Sequence, residues 1–129
     1  MRKPPYNVYA AMCPTRQALN RIADKWTVLI IGLLADRPHR FGELRRAIDG
    51  ISQKMLTQTL RRLEQDGLVA RRAEATVPVT VEYSLTTTGR TLVEPLDAIR
   101  RWAEAHIEAV MAARSKRPKG RIPVRRASR

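Results

Sequence analysis

One fifteen-residue stretch, Gly50-Ile51-Ser52-Gln53-Lys54-Met55-Leu56-Thr57-Gln58-Thr59-Leu60-Arg61-Arg62-Leu63-Glu64, constrains the rest of the chain more than any other. Wound as a helix at about 100° per residue, it separates into two faces. Leu56, Leu60 and Leu63 fall within roughly 60° of one another and form a core-facing stripe. Gln53, Lys54, Thr57, Gln58 and Arg61 fill an arc of about 140° on the opposite side, with no carboxylate among them. Amides pair bidentately with adenine edges, and cations pair with guanine or phosphate, so this arc suits the floor of a DNA major groove. Ser52 stands where an N-cap belongs and leaves the helix N-terminus free to face a phosphate.

The same residues would also serve as an ordinary solvated helix face. The upstream context selects between the two. Phe41-Gly42-Glu43-Leu44-Arg45-Arg46-Ala47-Ile48 places Leu44, Ala47 and Ile48 at helical spacing, and Asp49-Gly50-Ile51 makes a tight break. Two helices joined by a short glycine-containing turn describe a helix-turn-helix. Base reading is therefore expected from Gln53, Lys54, Thr57 and Gln58, and backbone anchoring from Arg45, Ser52, Arg61 and Arg71.

Downstream, Asp66-Gly67 supplies a helix stop. Leu68 to Arg72 reads as a strand, and Val77, Val79, Val81, Tyr83 and Leu85 alternate with polar or turn residues as the returning strand, with a hairpin end at Ala73–Thr76. A helix-turn-helix followed by such a hairpin is a winged helix. Upstream, Pro14 favours a first helical position with Cys13 at the cap, and Ala18, Leu19 and Ile22 give that helix an apolar side. Asp24 is expected to cap the next helix, Lys25 to Ala35, which is apolar nearly all round and must be buried on most sides. His39-Arg40-Phe41 reads as a short extended lead into the helix-turn-helix.

A last helix is expected from the cap at Thr86–Gly89 to about Ala113. Leu92, Leu96, Ile99, Ala103, Ile107 and Val110 approximate a heptad seam along it, with Trp102 alongside. Pro95 requires a kink or a first-turn start there. The seam exceeds what a small winged domain needs for its own core, which points to a homodimer reading paired half-sites. The alternative is simple packing across the back of the domain.

The chain of 129 residues is expected to be one domain. Its fold class is α+β, mainly α: a winged helix-turn-helix whose extra N- and C-terminal helices form a dimer interface. Residues 1–12 read as an arm, docked through Tyr6, Val8, Tyr9 and Met12. Residues 13–113 form the domain, with a dimerisation helix over 87–113. Of 25 basic residues, eight lie in 114–129 with no acid beside them, leaving 17 against 12 acids, or +5, for the body. That tail reads as a solvated, disordered segment that raises nonspecific DNA affinity by counterion release.

No apolar run is long enough to span a membrane, and Met1-Arg2-Lys3-Pro4-Pro5 lacks a signal-peptide core, so a cytoplasmic protein is expected. A single cysteine excludes an intrachain disulfide and agrees with a reducing compartment. His39 and His106 stand apart from any metal-ligand set. Neither a cofactor motif nor an assembly of catalytic residues is present, which sets an enzyme far behind a DNA-binding protein. A nonspecific basic nucleic-acid-binding protein is the remaining alternative, supported mainly by the tail.

Several segments resemble the HxlR-type family of bacterial winged-helix transcriptional regulators. They are Cys13-Pro14, Asp24-Lys25-Trp26-Thr27, Arg40-Phe41-Gly42-Glu43-Leu44, Gly50 to Leu56, Leu60 to Val69, Val81 to Thr86 and Gly89-Arg90, in order across residues 13–106. The resemblance implies a homodimer built from the first and last helices, a recognition helix over Ser52–Glu64 and a wing over Leu68–Leu85. It also implies a repressor or activator that, in some members, responds to electrophiles or oxidants through the cysteine matching Cys13. The chain departs from the family at the wing, with Glu74 in place of an aromatic, Val79 in place of a proline and Thr80 in place of a cation. Arg71 and Arg72 are left to substitute in gripping the backbone.

Cys13 has two readings. At a helix N-terminus with Arg16 one turn on, its thiolate is favoured and would be the nucleophile toward oxidants; otherwise it is a buried structural thiol. A small-molecule inducer in a pocket at the dimer helices is the alternative input.

Overall fold

The computed structural model describes residues 6–116. The order is α1 (Pro14–Ile22), α2 (Lys25–Asp36), β1 (His39–Arg40), α3 (Phe41–Ala47), α4 (Gln53–Gln65), β2 (Val69–Glu74), β3 (Thr80–Leu85), α5 (Thr87–Arg90) and α6 (Val93–Ser115). The three strands form one antiparallel sheet in the order β1-β3-β2. This is a mainly helical winged helix-turn-helix.

Leucine periodicity on α4 builds the core. Leu56, Leu60 and Leu63 are buried against Ile30, Ile31 and Leu34 of α2, with Leu44, Ile48 and Ile51 closing the helix-turn-helix and Val69, Leu85 and Leu96 completing the cluster. Gly50 takes a φ of 85°, which lets the chain reverse between α3 and α4 where a side chain would be strained. The far end of α4 closes in a Schellman motif: Leu68 N–H bonds to Leu63 O at 2.9 Å and Gly67 N–H to Glu64 O at 3.0 Å, with Gly67 at φ 73°.

That turn is locked to the entry of α5. The Thr86 hydroxyl donates to Gly67 O at 2.6 Å and accepts from Gly89 N–H at 3.0 Å, while Thr86 N–H bonds to Leu68 O at 3.1 Å. Gly89 then passes so close that a Cβ there would stand 2.0 Å from Leu68 O.

The structure departs from the sequence expectations at several points. The His39-Arg40 piece is a strand, paired His39 to Tyr83 and Arg40 to Glu82, so the wing sheet has three strands. The return strand begins at Thr80, not Val77. The alternation continues past the last pair, Glu74 with Thr80, into a tip containing a cis Val77–Pro78 bond. The single helix expected from Thr86 is interrupted at Thr91–Leu92, giving α5 and α6, and Pro95 sits in the first turn of α6, where no backbone donor is lost. Asp24 occupies the cap position of α2 without bonding to its N-terminal donors, and its Oδ2 is buried without a partner.

The arm is not docked as expected: Tyr6, Tyr9 and Met12 are exposed and only Val8 is half-buried. Local bonds order it instead, from Tyr9 N–H to Asn7 Oδ1 and from Arg16 Nη1 to Tyr9 O. Residues 1–5 of that arm lie outside the described residues, as does the basic tail from residue 117.

The chain divides into two compact units after Asp97. The heptad seam divides with it. Leu96 is buried in the first unit's core and Leu92 packs on it, whereas Ile99, Trp102, Ile107 and Met111 are exposed. Within the second unit Trp102 stacks on His106 with ring centroids 4.7 Å apart.

Candidate nucleic-acid interface

Ser52 starts α4 as its sequence suggests. Its Oγ accepts the N–H of Met55 at 3.0 Å, leaving the hydroxyl proton free to donate outward. Below the helix Thr59 is buried, and its hydroxyl is spent on Met55 O at 2.8 Å. Above it Gln53, Lys54, Gln58 and Arg61 are exposed, while Thr57 is half-buried.

Burial of Leu56, Leu60 and Leu63 thus fixes which side of α4 meets solvent. Arg45 on α3 and Arg71 on β2 are also exposed. None of Arg45, Lys54, Arg61 and Arg71 makes an ion pair among the described residues. Cations left unneutralised by their own protein are available to phosphates.

Arg45 and Gln53 line one open hollow of about 480 Å³ with Phe41, Gly42 and Arg46. Arg71 stands apart from that hollow, on the sheet opposite Tyr83. Arg46, which the sequence pattern does not single out, lines the hollow one turn after Gly42. The wing carries no cation from Ala73 to Thr80, and Thr80 is half-buried at the start of β3. Val77 and Val79 are exposed there, and the Thr76 hydroxyl is turned inward to Pro78 O at 2.7 Å.

Cys13 caps α1 from a buried position, 6% exposed, and its carbonyl receives the N–H of Gln17 at 3.1 Å. Desolvation pushes the thiol up, but the N–H groups of Arg16 and Thr15, the Thr15 hydroxyl and the Arg16 charge outweigh it. The net result is a thiol below its ordinary value of 9.0. A larger hollow of about 610 Å³ lies beside α1, bridged by the 2.6 Å ion pair of Arg21 with Asp66. Among the described residues no group of histidine, cysteine and carboxylate side chains could hold a metal, and no helix is long and apolar enough to cross a membrane. His39 is buried and donates from Nδ1 to Arg37 O at 2.8 Å.

Comparison with known proteins agrees with this geometry. The chain is 44% identical over 111 residues to the HTH-type transcriptional regulator YtfH of Escherichia coli (strain K12), covering 86% of this chain and 88% of that one. The solved structure of the ytfH regulator from Salmonella typhimurium superposes with a TM-score of 0.81 at 41% identity, covering 86% of this chain and 99% of its own. The redox regulator HypR in its reduced form gives a TM-score of 0.71 at 38% identity over 77% of this chain and 98% of its own. Residues 21–111 match the HxlR-like helix-turn-helix family. The chain belongs to that family and is an HTH-type transcriptional regulator, not an enzyme.

Proposed function

We propose that the protein works in the cytoplasm as a homodimer that binds a pseudo-palindromic duplex operator through α4 of each protomer, and that Cys13 adjusts this binding. The observation that carries the reading is the exposed amide-and-cation face of Gln53, Lys54, Gln58 and Arg61 over a fully inward leucine stripe. In this reading Gln53, Lys54, Thr57 and Gln58 reach base edges, with Thr57 the least available. Arg45, Ser52, Arg61 and Arg71 hold the backbone.

The homodimer is supported by two helices with uncovered apolar residues. No residue of α1 is buried, and Leu19 is 53% exposed. On α6, Ile99, Trp102, Ile107 and Met111 are each more than two-fifths exposed. Apolar surface of this kind is what a second copy covers. For Cys13, support comes from the lowered thiol at a helix start and from the likeness to HypR, which is described as a redox regulator. With one cysteine in the chain, a disulfide can form only with the second copy or with a small thiol.

Competition binding tests the reading. A regulator should prefer the duplex upstream of its own gene over random duplex by about 10³ or more. Equal affinity for both would leave a nonspecific basic protein. Sedimentation of the same sample should give twice the protomer mass, with Ile107→Asp shifting it toward one protomer.

A further inference from the structure

Helix α3 carries two adjacent exposed arginines, Arg45 and Arg46, without an ion-pair partner among the described residues. The carboxylate on the same helix is already engaged. Glu43 accepts from the Arg40 backbone N–H at 2.8 Å through Oε1 and from Arg37 Nη2 at 3.2 Å through Oε2.

The hollow beside them owes its shape to Gly42. A Cβ on that residue would stand 3.2 Å from Nη1 of Arg46, so the guanidinium lies over bare backbone one turn from its own Cα. The facing wall is Gln53, the first residue of α4. Because Ser52 Oγ takes the N–H of Met55, the N–H groups of Gln53 and Lys54 are the donors of this turn left without a helical acceptor. On the other flank of Gly42 lies a second hollow, lined by Arg40, Gly42, Glu43 and Arg46. Glu43 makes that flank unfavourable for an anion, so the Gln53 side is the one an anion would occupy. Two guanidinium groups lining one concave surface supply donors for the several acceptor oxygens of a phosphodiester.

We propose that the hollow between α3 and the first turn of α4 seats one phosphate of the DNA backbone, with Arg46 as a second anchoring cation beside Arg45. The site rests on the reading of α4 as a duplex-binding helix and adds the place where the strand flanking the groove is held. Arg46 then contributes register and affinity but no sequence preference.

The test uses the full chain, an upstream duplex and a random duplex, each titrated between 50 and 300 mM salt. Arg46→Gln should lower affinity for both duplexes by the same factor, on the order of tenfold per contact at 0.1 M salt, and flatten the slope of log affinity against log salt by about 0.9 per contact. Gly42→Leu keeps both cations but fills the hollow, and should give a loss that is likewise independent of sequence. If Gly42→Leu does not fold by circular dichroism, Arg46→Gln alone decides. Wild-type affinity and slope in Arg46→Gln overturn the site, as does a loss confined to one duplex. Should the unaltered chain bind neither duplex, the DNA reading of α4 has failed and the site falls with it. Normal binding with a silent Arg46→Gln refutes the site alone.

Discussion

The division of labour on the α4 face can be tested by pairing Arg61→Gln with Gln58→Ala. The cations assigned to the backbone in each protomer are Arg45, Arg46, Arg61 and Arg71, all exposed and none in an ion pair among the described residues. A dimer using all of them makes eight phosphate contacts. At about −0.9 per contact the slope of log affinity against log salt is about −7. Arg61→Gln removes two contacts, which brings the slope to about −5.4 and lowers affinity at 0.1 M salt by roughly fiftyfold for every sequence. Gln58→Ala removes no charge, so the slope should stay where it was. Discrimination between operator and random duplex should instead fall by about tenfold or more, since a bidentate amide–base pair is worth about 1–3 kcal/mol. Fluorescence anisotropy on two labelled duplexes across a salt series reads both quantities. A uniform loss with the same slope change in both variants would refute the assignment of Gln58 to bases and Arg61 to phosphates.

Three further outcomes follow from the structure. Gly89→Ala places a methyl 2.0 Å from Leu68 O, a backbone atom that cannot swing aside, and should cost about 1–3 kcal/mol or more in urea unfolding; near-wild-type stability would mean that α5 is free to shift. Glu43 is held below its ordinary 4.5 by the Arg40 N–H and the Arg37 guanidinium, so its folded form binds fewer protons than the unfolded chain. The stability gap between wild type and Glu43→Gln should be full above pH 4.5 and vanish as pH falls through the lower folded value, and a gap constant across that window would contradict the pairing. For Cys13, the alkylation rate should rise with a midpoint below 9.0, and a midpoint at or above it would count against a sensor.

How much was legible in the sequence follows from how local each cause is. The two faces of α4, the cap at Ser52 and the stop at Gly67 are set by residues within one or two turns, and the structure has each of them. Strand β1 is two residues long and exists because β3 returns beside it more than forty positions later, a pairing that His39-Arg40 alone cannot signal. The alternation from Val77 to Leu85 correctly marks a strand but not its start, because the pattern runs on into an unpaired tip.

The short helix α5 is likewise tied to a distant segment, since Gly89 is pressed against Leu68 O and Thr86 is bonded to Gly67. Arg46 was missed for a similar reason: its role depends on the empty space over Gly42 and on the start of α4 across the turn. In sequence the seam along α6 is one continuous stripe, but Leu96 is taken by the core while Ile99, Trp102 and Ile107 are left uncovered.

Site-specific crosslinking from α4 tests most directly that its polar face is the surface that meets DNA. A photoreactive residue at position 58, on that face, should crosslink to operator bases, and one at position 20, exposed on α1, should not. Crosslinking that is absent at 58 but present at 20 would contradict the account, because the protein would then meet DNA by a different surface.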